Sequence, residues 1–156
     1  MSNIDKILDN LRRQCSRREY CSSDILKKAE KALGGDTEQA AKVLETLVKE
    51  KYVDDLRYAE AFARDKSAIA GWGAVKIRYM LSSKGIEREK ISMALEEIDP
   101  GKADDRLKKL IENKYKSLKD DPQCRLKLLR FALGRGYSYD EVSAVIDSLL
   151  RSDEVR

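Results

Sequence analysis

The sequence predicts an all-α protein, built from three tandem three-helix repeats that form an elongated, curved array of about nine helices. Three observations predict this fold class. The 156 residues include 38% charged residues, 8 Gly and only 2 Pro, a composition that permits long helices. Apolar residues recur at spacings of three or four, which is the helical period. The pattern of apolar residues and turns also repeats after 51 residues.

Three glycines mark the repeat most clearly, because Gly34, Gly85 and Gly136 coincide when the sequence is compared with itself at an offset of 51 residues. Apolar residues coincide in the same alignment: Leu26, Ile77 and Leu128; Ala29, Met80 and Phe131; Ala40, Ile91 and Val142; Val43, Ala94 and Val145; Leu44, Leu95 and Ile146; Leu47, Ile98 and Leu149. The predicted repeats span residues 1–52, 53–102 and 103–156. Units of this size are close to the lower limit for folding alone, so we expect neighbouring repeats to pack against one another.

Each repeat is expected to contain three helices. In the first repeat, Leu8 lies in the first helix, Gly34 ends the second, and Asp36 stands where the third begins. In the third repeat, Leu110 occupies the position of Leu8, and Ser138 with the Glu three residues later forms a capping box before the last helix.

The second repeat shows its helices in most detail. Asp54 or Asp55 can accept hydrogen bonds from the free amides of the first helical turn. Gly71-Trp72-Gly73 stops that helix, and Gly85 closes the next one in a left-handed conformation. Asp99-Pro100-Gly101 ends the third. The predicted buried residues are Tyr58, Ala59, Phe62 and Ala63 in the first helix, and Ile77, Met80 and Leu81 in the second.

Positive charge is concentrated in two segments that contain no acid, one between Asp65 and Glu87 and the other between Asp121 and Asp140, although the formal net charge is only +4. Because these cations have no acidic neighbours in sequence, we expect an anionic partner. Two pairs of cations are equivalent in the repeat, Lys76 with Lys127 and Lys84 with Arg135. The residues predicted to contact the partner are Arg57, Arg64, Lys66, Trp72, Lys76, Arg78, Lys84, Arg125, Lys127, Arg130 and Arg135.

Two alternatives stay open for Trp72, which can pack between repeats or project toward a partner as an anchor. Asp54 and Asp55 resemble a pair of catalytic carboxylates, but no nucleophile or further ligand accompanies them, so helix capping is the preferred interpretation. The sequence has no His, and its three Cys are odd in number, which favours reduced packing residues over a zinc site or a disulfide framework. We therefore predict no catalytic residue, metal or cofactor.

No apolar run approaches the 18 or so residues that cross a membrane, and the N-terminal stretch MSNIDKILDN lacks the apolar core of a signal peptide. A cytoplasmic location without membrane contact is expected.

Several short stretches between residues 52 and 86 occur in a distinctive order and spacing. They are Tyr52-Val53-Asp54-Asp55, Arg57-Tyr58-Ala59, Phe62-Ala63-Arg64, Gly71-Trp72-Gly73, Ile77, Leu81 and Lys84-Gly85-Ile86. This combination resembles the signature of the bacterial RecX family of recombination regulators. Arg17-Arg18-Glu19-Tyr20-Cys21-Ser22, followed by Leu26, is similar to the first repeat of that family.

The resemblance implies a small, non-enzymatic protein, expected to be a monomer, that lies in the helical groove of the RecA filament. There it would contact neighbouring protomers and DNA, inhibit ATP hydrolysis, filament growth and strand exchange, and so modulate recombination and DNA repair. Two alternatives remain open from the residues themselves. One is an autonomous DNA-binding protein that contacts phosphates without sequence specificity. The other is a helical adaptor for a different protein.

Overall fold

The computed structural model describes residues 2–155, and over this range the chain forms nine α-helices and no strand. The helices are α1 (Asn3–Arg17), α2 (Ser22–Ala32), α3 (Thr37–Lys49), α4 (Asp55–Ala68), α5 (Ala74–Ser83), α6 (Arg88–Glu96), α7 (Pro100–Leu118), α8 (Cys124–Gly134) and α9 (Tyr139–Val155). The predicted all-α fold class is confirmed. The elongated, curved shape and the boundaries of the three repeats stay predictions.

The described residues divide into two compact units. One runs through Ala61 and adds Leu81–Ala94, and the other contains Phe62–Met80 together with the chain from Leu95 onward. Three helices, α4, α5 and α6, therefore contribute residues to both units.

In the first unit, α1, α2 and α3 pack around one apolar core. Its buried members are Ile7, Leu11, Ile25, Ala29, Ala40, Val43, Leu47 and Val53. Ile25 and Leu47 are fully buried. Full burial of one such side chain contributes about 1.5–3 kcal/mol to folding, so this cluster is sufficient to hold three short helices together.

In the second unit, α7, α8 and α9 pack in the same way. The buried members of this core are Leu107, Ile111, Cys124, Leu128, Ala132, Tyr137, Val142 and Ile146. Leu128 and Ile146 lie at positions that the repeat predicted to be apolar, and both are fully buried. The spacing of apolar residues in the sequence therefore identified the packing faces of these helices.

Left-handed residues end the helices at the predicted places. Gly34 after α2, Gly85 after α5 and Gly136 after α8 have φ values of +65°, +76° and +94°. In each case the N–H of the following residue donates to a carbonyl of the last helical turn, as Ile86 does to Leu81 at 3.4 Å. These bonds satisfy carbonyls that the helix itself leaves unpaired.

Side-chain caps begin several helices. Asp36 accepts a hydrogen bond from the N–H of Gln39 at 3.1 Å, and the hydroxyl of Ser138 accepts one from the N–H of Glu141 at 3.3 Å. The stretch from Asp99 was predicted to end a helix. It lies beyond the end of α6 and begins α7, because the Asp99 carboxylate accepts from the N–H groups of residues 101 and 102.

Truncation of either core should destabilise the protein. We expect Ile25→Ala in the first unit and Leu128→Ala in the second each to lower the free energy of unfolding by about 2–5 kcal/mol, because each leaves a cavity among side chains that cannot fully collapse. Urea unfolding followed by circular dichroism measures this loss. Met93→Ala is the matched control, since Met93 is 50% exposed on α6 and its truncation should change stability by less than about 0.5 kcal/mol. A loss no larger than the control's would contradict the assignment of a core position.

Candidate interaction surface

Trp72 precedes α5 in a turn that contacts the turn after α8 through the backbone. The N–H of Gly73 donates to the carbonyl of Arg135 at 2.8 Å, and the N–H of Val75 donates to the carbonyl of Gly136 at 3.0 Å. A Cβ added to Gly73 would lie 2.4 Å from the Gly136 carbonyl oxygen, and one added to Gly136 would lie 2.2 Å from the Cβ of Lys76. Side chains do not approach this closely, so both positions require glycine.

Two further hydrogen bonds fix the same turn. The hydroxyl of Tyr137 donates to the carbonyl of Gly71 at 3.1 Å, and the N–H of Trp72 donates to the carbonyl of Lys66 at 2.9 Å. Burial raises the pKa of the Tyr137 hydroxyl, so it remains a donor at neutral pH. The backbone that carries the indole is therefore fixed by hydrogen bonds with Lys66 and with Tyr137.

The ring of Trp72 lies beside one aromatic ring and two ammonium groups, and we call Phe62, Lys66, Trp72 and Lys76 the Trp72 cluster. The ring centroids of Phe62 and Trp72 are 6.1 Å apart in an edge-to-face arrangement. The Nζ atoms of Lys66 and Lys76 lie 4.9 Å and 4.3 Å from the Trp72 centroid. Each contact stabilises by about 0.5–1 kcal/mol at an exposed site and leaves the charge intact. Trp72 itself is half-buried, and its role as an anchor stays a prediction.

Several other predicted contact residues are free of acidic partners. Arg64, Arg78 and Arg130 are exposed, and within residues 2–155 none of them forms an ion pair. The guanidinium of Arg135 lies 5.1 Å from the centroid of the Phe131 ring. Within the described residues, no acidic side chain forms an ion pair with these cations or with the two lysines of the Trp72 cluster.

Besides Arg57, which pairs with Glu19, three predicted contact residues in the two acid-free segments have acidic partners. The pairs are Lys84 with Asp24, Arg125 with Asp147, and Lys127 with Asp121. The expectation that cations in these segments lack acidic neighbours is wrong at these positions, because the acids come from the ends of the segments or from distant helices. Lys76 and Lys127, equivalent in the repeat, consequently have different surroundings.

The two adjacent aspartates are helix caps. Asp54 accepts hydrogen bonds from the N–H groups of Leu56 and Arg57 at 3.0 Å and 3.1 Å, which caps α4. Asp55 accepts from the N–H of Ser22 at 2.7 Å and so caps α2 instead of its own helix. This geometry confirms the predicted capping role.

Arg57, a predicted contact residue, joins three parts of the first unit. Its guanidinium donates to the carboxylate of Glu19 and to the carbonyls of Lys51 and Tyr52, the latter two at 3.1 Å and 3.2 Å. Lys51 has a φ of +66°, a conformation that is costly for a residue with a side chain. The Arg57 hydrogen bonds support that turn, which gives Arg57 a structural role.

Three exposed apolar residues that lie within seven positions of Trp72 in sequence were not included in the predicted site. Ile69, Val75 and Tyr79 are 83%, 56% and 71% exposed. A signal for two of them exists in the sequence, because Val75 and Tyr79 are four residues apart and each is two residues from the buried Ile77. That spacing places them on the face of α5 opposite the core.

Within the described residues, His, Cys, Asp and Glu side chains nowhere form a group of three or more that could hold a metal ion. Residues 2–155 also contain no helix that is both long and apolar enough to span a membrane. Cys15, Cys21 and Cys124 are free, and burial raises the pKa of each thiol, which keeps them in the protonated form.

Two family models match the chain. Residues 54–95 match the second three-helix domain of RecX, and residues 103–146 match its third three-helix domain. The regulatory protein RecX of Clostridium tetani (strain Massachusetts / E88) is 32% identical over 150 residues, which cover 85% of this chain and 68% of that protein. RecX of Oceanobacillus iheyensis is 33% identical over 135 residues, and the matched region spans 85% of this chain and 48% of that relative.

Solved structures share the fold. A crystal structure of regulatory protein RecX superimposes with a TM-score of 0.82 at 24% identity, covering 93% of this chain and 72% of that one. The crystal structure of RecX from Lactobacillus salivarius gives a TM-score of 0.79 at 20% identity, with 94% and 96% covered. At these identities the likeness establishes the arrangement of the helices alone.

The Gly73 contact can be tested by adding one methyl group. We expect Gly73→Ala to lower the free energy of unfolding by about 1–3 kcal/mol, because the new Cβ overlaps the Gly136 carbonyl and the backbone must move. Gly134→Ala is the matched control, since a Cβ there has nothing within 4 Å and alanine favours the helix, giving no loss or a gain of up to about 1 kcal/mol. Thermal and urea unfolding compare the two variants, and equal stabilities would show that the turn accommodates a side chain.

The Asp24–Lys84 pair should make stability depend on pH. Burial raises the pKa of the Asp24 carboxyl, but the hydrogen bond and charge of Lys84 outweigh this and hold it below its usual value of 3.8. The hydrogen bond to Asp24 raises the pKa of Lys84 above 10.5. The Asp24 contribution is therefore present above the carboxyl's unfolded pKa and is lost as pH falls through the lower, folded value, whereas the Lys84 contribution is lost as pH rises through its raised pKa.

We accordingly expect Asp24→Asn to be less stable than the unaltered protein between about pH 5 and pH 9, and the difference to shrink toward about pH 3. Urea unfolding across this range measures the difference. Lys84→Gln should show the same plateau, and the double variant should lose less than the sum of the single losses. A penalty that is constant down to pH 3 would assign the effect of Asp24 to something other than its charge.

Proposed function

The chain belongs to the RecX family of regulatory proteins, and from that premise we propose that it binds the RecA nucleoprotein filament in its helical groove. Bound there, it inhibits ATP hydrolysis, filament extension and strand exchange, and so modulates recombination and DNA repair in the cytoplasm. It acts by occupying the filament, without catalytic turnover and without a cofactor.

Membership of the family carries this proposal. The matched domains cover residues 54–95 and 103–146, and the first of these includes most of the signature stretch. The surface chemistry agrees with the proposal, because Arg64, Lys66, Lys76 and Arg78 keep their positive charge in the part of the chain that the structure describes.

Such charges act at two stages of binding. At a distance they speed the encounter with a polymer of opposite charge, and this effect is screened by salt beyond about 8–10 Å. At contact, two unit charges 4 Å apart interact with about 1 kcal/mol in water and about 4 kcal/mol at a partly dehydrated protein surface. Cations beside apolar side chains therefore contribute most when the partner excludes water from them.

A second candidate function is autonomous DNA binding. The exposed and unpaired guanidinium groups of Arg64, Arg78 and Arg130 favour it, since Arg contacts phosphates well. This candidate requires tight binding to DNA in the absence of the recombinase. Its affinity would fall with salt by roughly 0.7 decades per decade for each phosphate neutralised on a single strand.

Charge reversal on the second unit should weaken inhibition. We expect Arg64→Glu combined with Arg78→Glu to raise the concentration needed for half-inhibition of RecA-dependent ATP hydrolysis about tenfold, which corresponds to about 1.4 kcal/mol, because repulsion replaces attraction at two contacts. Both side chains are exposed, so the helical content should not change. Lys108→Glu combined with Lys109→Glu, also exposed, changes the net charge equally and serves as the control.

Co-sedimentation with RecA filaments, with DNA alone and RecA alone as parallel samples, separates the two candidates. The unaltered protein should sediment with the filament and bind bare DNA much more weakly. Absence from the filament pellet would reject the proposed function. Equal loss of inhibition in both charge-reversed variants would show that net charge, and not this surface, governs binding.

A further inference from the structure

The three most exposed of the large apolar side chains that the structure describes lie close together in sequence, between residues 69 and 79. They are Ile69, Tyr79 and Val75, at 83%, 71% and 56% exposure. Single apolar residues on a surface are ordinary, whereas apolar residues gathered in one region are typical of interaction sites. All three belong to the second unit, as does the Trp72 cluster.

Helix α5 presents two of them on one face. Val75 and Tyr79 are four residues apart, so their side chains are neighbours along the helix surface. Ile77, which lies between them in sequence, is fully buried on the opposite side. Packing in the core therefore accounts for the apolar character of Ile77. It does not account for Val75 and Tyr79, whose side chains are mostly exposed in the described chain. We call Val75, Arg78 and Tyr79 the α5 face.

The surroundings of the α5 face are positively charged. Arg78 lies on it, and Lys76 and Lys66 hold their ammonium groups over the ring of Trp72 at 4.3 Å and 4.9 Å. The sequence has no acid between Asp65 and Glu87, and within residues 2–155 none of these three cations forms an ion pair.

The two lysines among these cations are oriented by the indole ring before any partner arrives. Both lysines contact one indole ring, and the turn that carries the ring is fixed by the backbone contact between Gly73 and Arg135. A surface ordered in advance loses less conformational entropy on binding. The α5 face and the Trp72 cluster thus combine fixed charge with exposed apolar area.

The chemistry of this surface discriminates among possible occupants. A nucleic acid could stack a base on Tyr79 and place phosphates near the cations, but it offers no aliphatic side chain to cover Val75. A second copy of the chain would bring one positively charged rim against another, which opposes association. A protein segment that carries both apolar side chains and carboxylates can cover the exposed apolar residues and also pair with the cations.

We propose that the α5 face and the Trp72 cluster dock a segment of the recombinase protomer in which apolar side chains are flanked by Asp or Glu. The apolar side chains cover Val75 and Tyr79, and the carboxylates pair with Lys66, Lys76 and Arg78. This inference rests on the proposed function, to which it adds the surface used and the chemistry of the segment bound.

Removal of the apolar contribution without change in charge tests the inference. Val75→Ser combined with Tyr79→Ser should weaken binding to RecA filaments at least tenfold, measured by co-sedimentation or fluorescence anisotropy of labelled protein. Val48→Ser combined with Met93→Ser removes residues of comparable exposure, 46% and 50%, from the first unit and should bind within twofold of the unaltered protein. Circular dichroism and urea unfolding verify that both double variants fold.

The measurements distinguish failure of the inference from failure of the proposed function. If the unaltered protein does not bind filaments, the proposed function fails and the inference with it. If it binds and the Val75/Tyr79 variant binds within twofold as well, the inference alone is overturned. Two parallel arms exclude other occupants: a comparable loss of affinity for bare single-stranded DNA would identify a nucleic-acid surface, and self-association of the unaltered protein that the variant abolishes would identify a contact between copies.

A crosslink identifies the segment directly. A benzophenone amino acid placed at position 79 should, on irradiation with filaments, attach to a recombinase peptide that contains both apolar residues and at least two carboxylates. Attachment to DNA, to this chain, or to a recombinase peptide without acidic residues would overturn the proposal.

Discussion

The way the helices end constrains the rest of this structure. Many helices end at a residue in the left-handed conformation, which costs about 1–2 kcal/mol for a residue with a side chain and little for glycine. Gly34, Gly85 and Gly136 adopt that conformation at intervals of 51 residues. Gly136 has a second constraint as well, because its carbonyl and Cα lie against Gly73 and Lys76. That contact fixes the turn on which Trp72 is displayed.

Local patterns in the sequence were sufficient to predict this framework. Periodicity located the helices because a helix must present an apolar stripe, and the glycines marked the ends because other residues cannot adopt positive φ cheaply. Asp54 or Asp55 was identified as a cap from local sequence, and the N–H groups that donate to Asp54 lie only two and three residues further along the chain. The exception is Lys51, which closes α3 without being glycine. Its cost is offset by hydrogen bonds from Arg57, which no local pattern reveals.

Features that depend on residues distant in sequence were not predictable in the same way. Asp55 caps a helix 33 residues away, and Lys84 pairs with an aspartate 60 residues away. The absence of acids along a segment describes only its sequence neighbours, whereas an ion pair depends on which helices pack together. The exposure of Val75 and Tyr79 was missed for a related reason. An apolar residue off the core stripe is common, and only its solvent-exposed area distinguishes a surface residue from one covered by another helix.

The cations of this chain consequently have two different roles. Lys84, Arg125 and Lys127 each connect to an acid, and such partly exposed pairs contribute at most about 1 kcal/mol while removing net charge from the surface. Lys66 and Lys76 contact an aromatic ring, which orients an ammonium group without neutralising it. Lys76 and Lys127 occupy the same position in the repeat, yet Lys127 pairs with Asp121, whereas Lys76 forms no ion pair among the described residues. The repeat therefore supplies a common framework, and the aromatic residues Phe62 and Trp72 determine where on that framework positive charge remains available beside apolar surface.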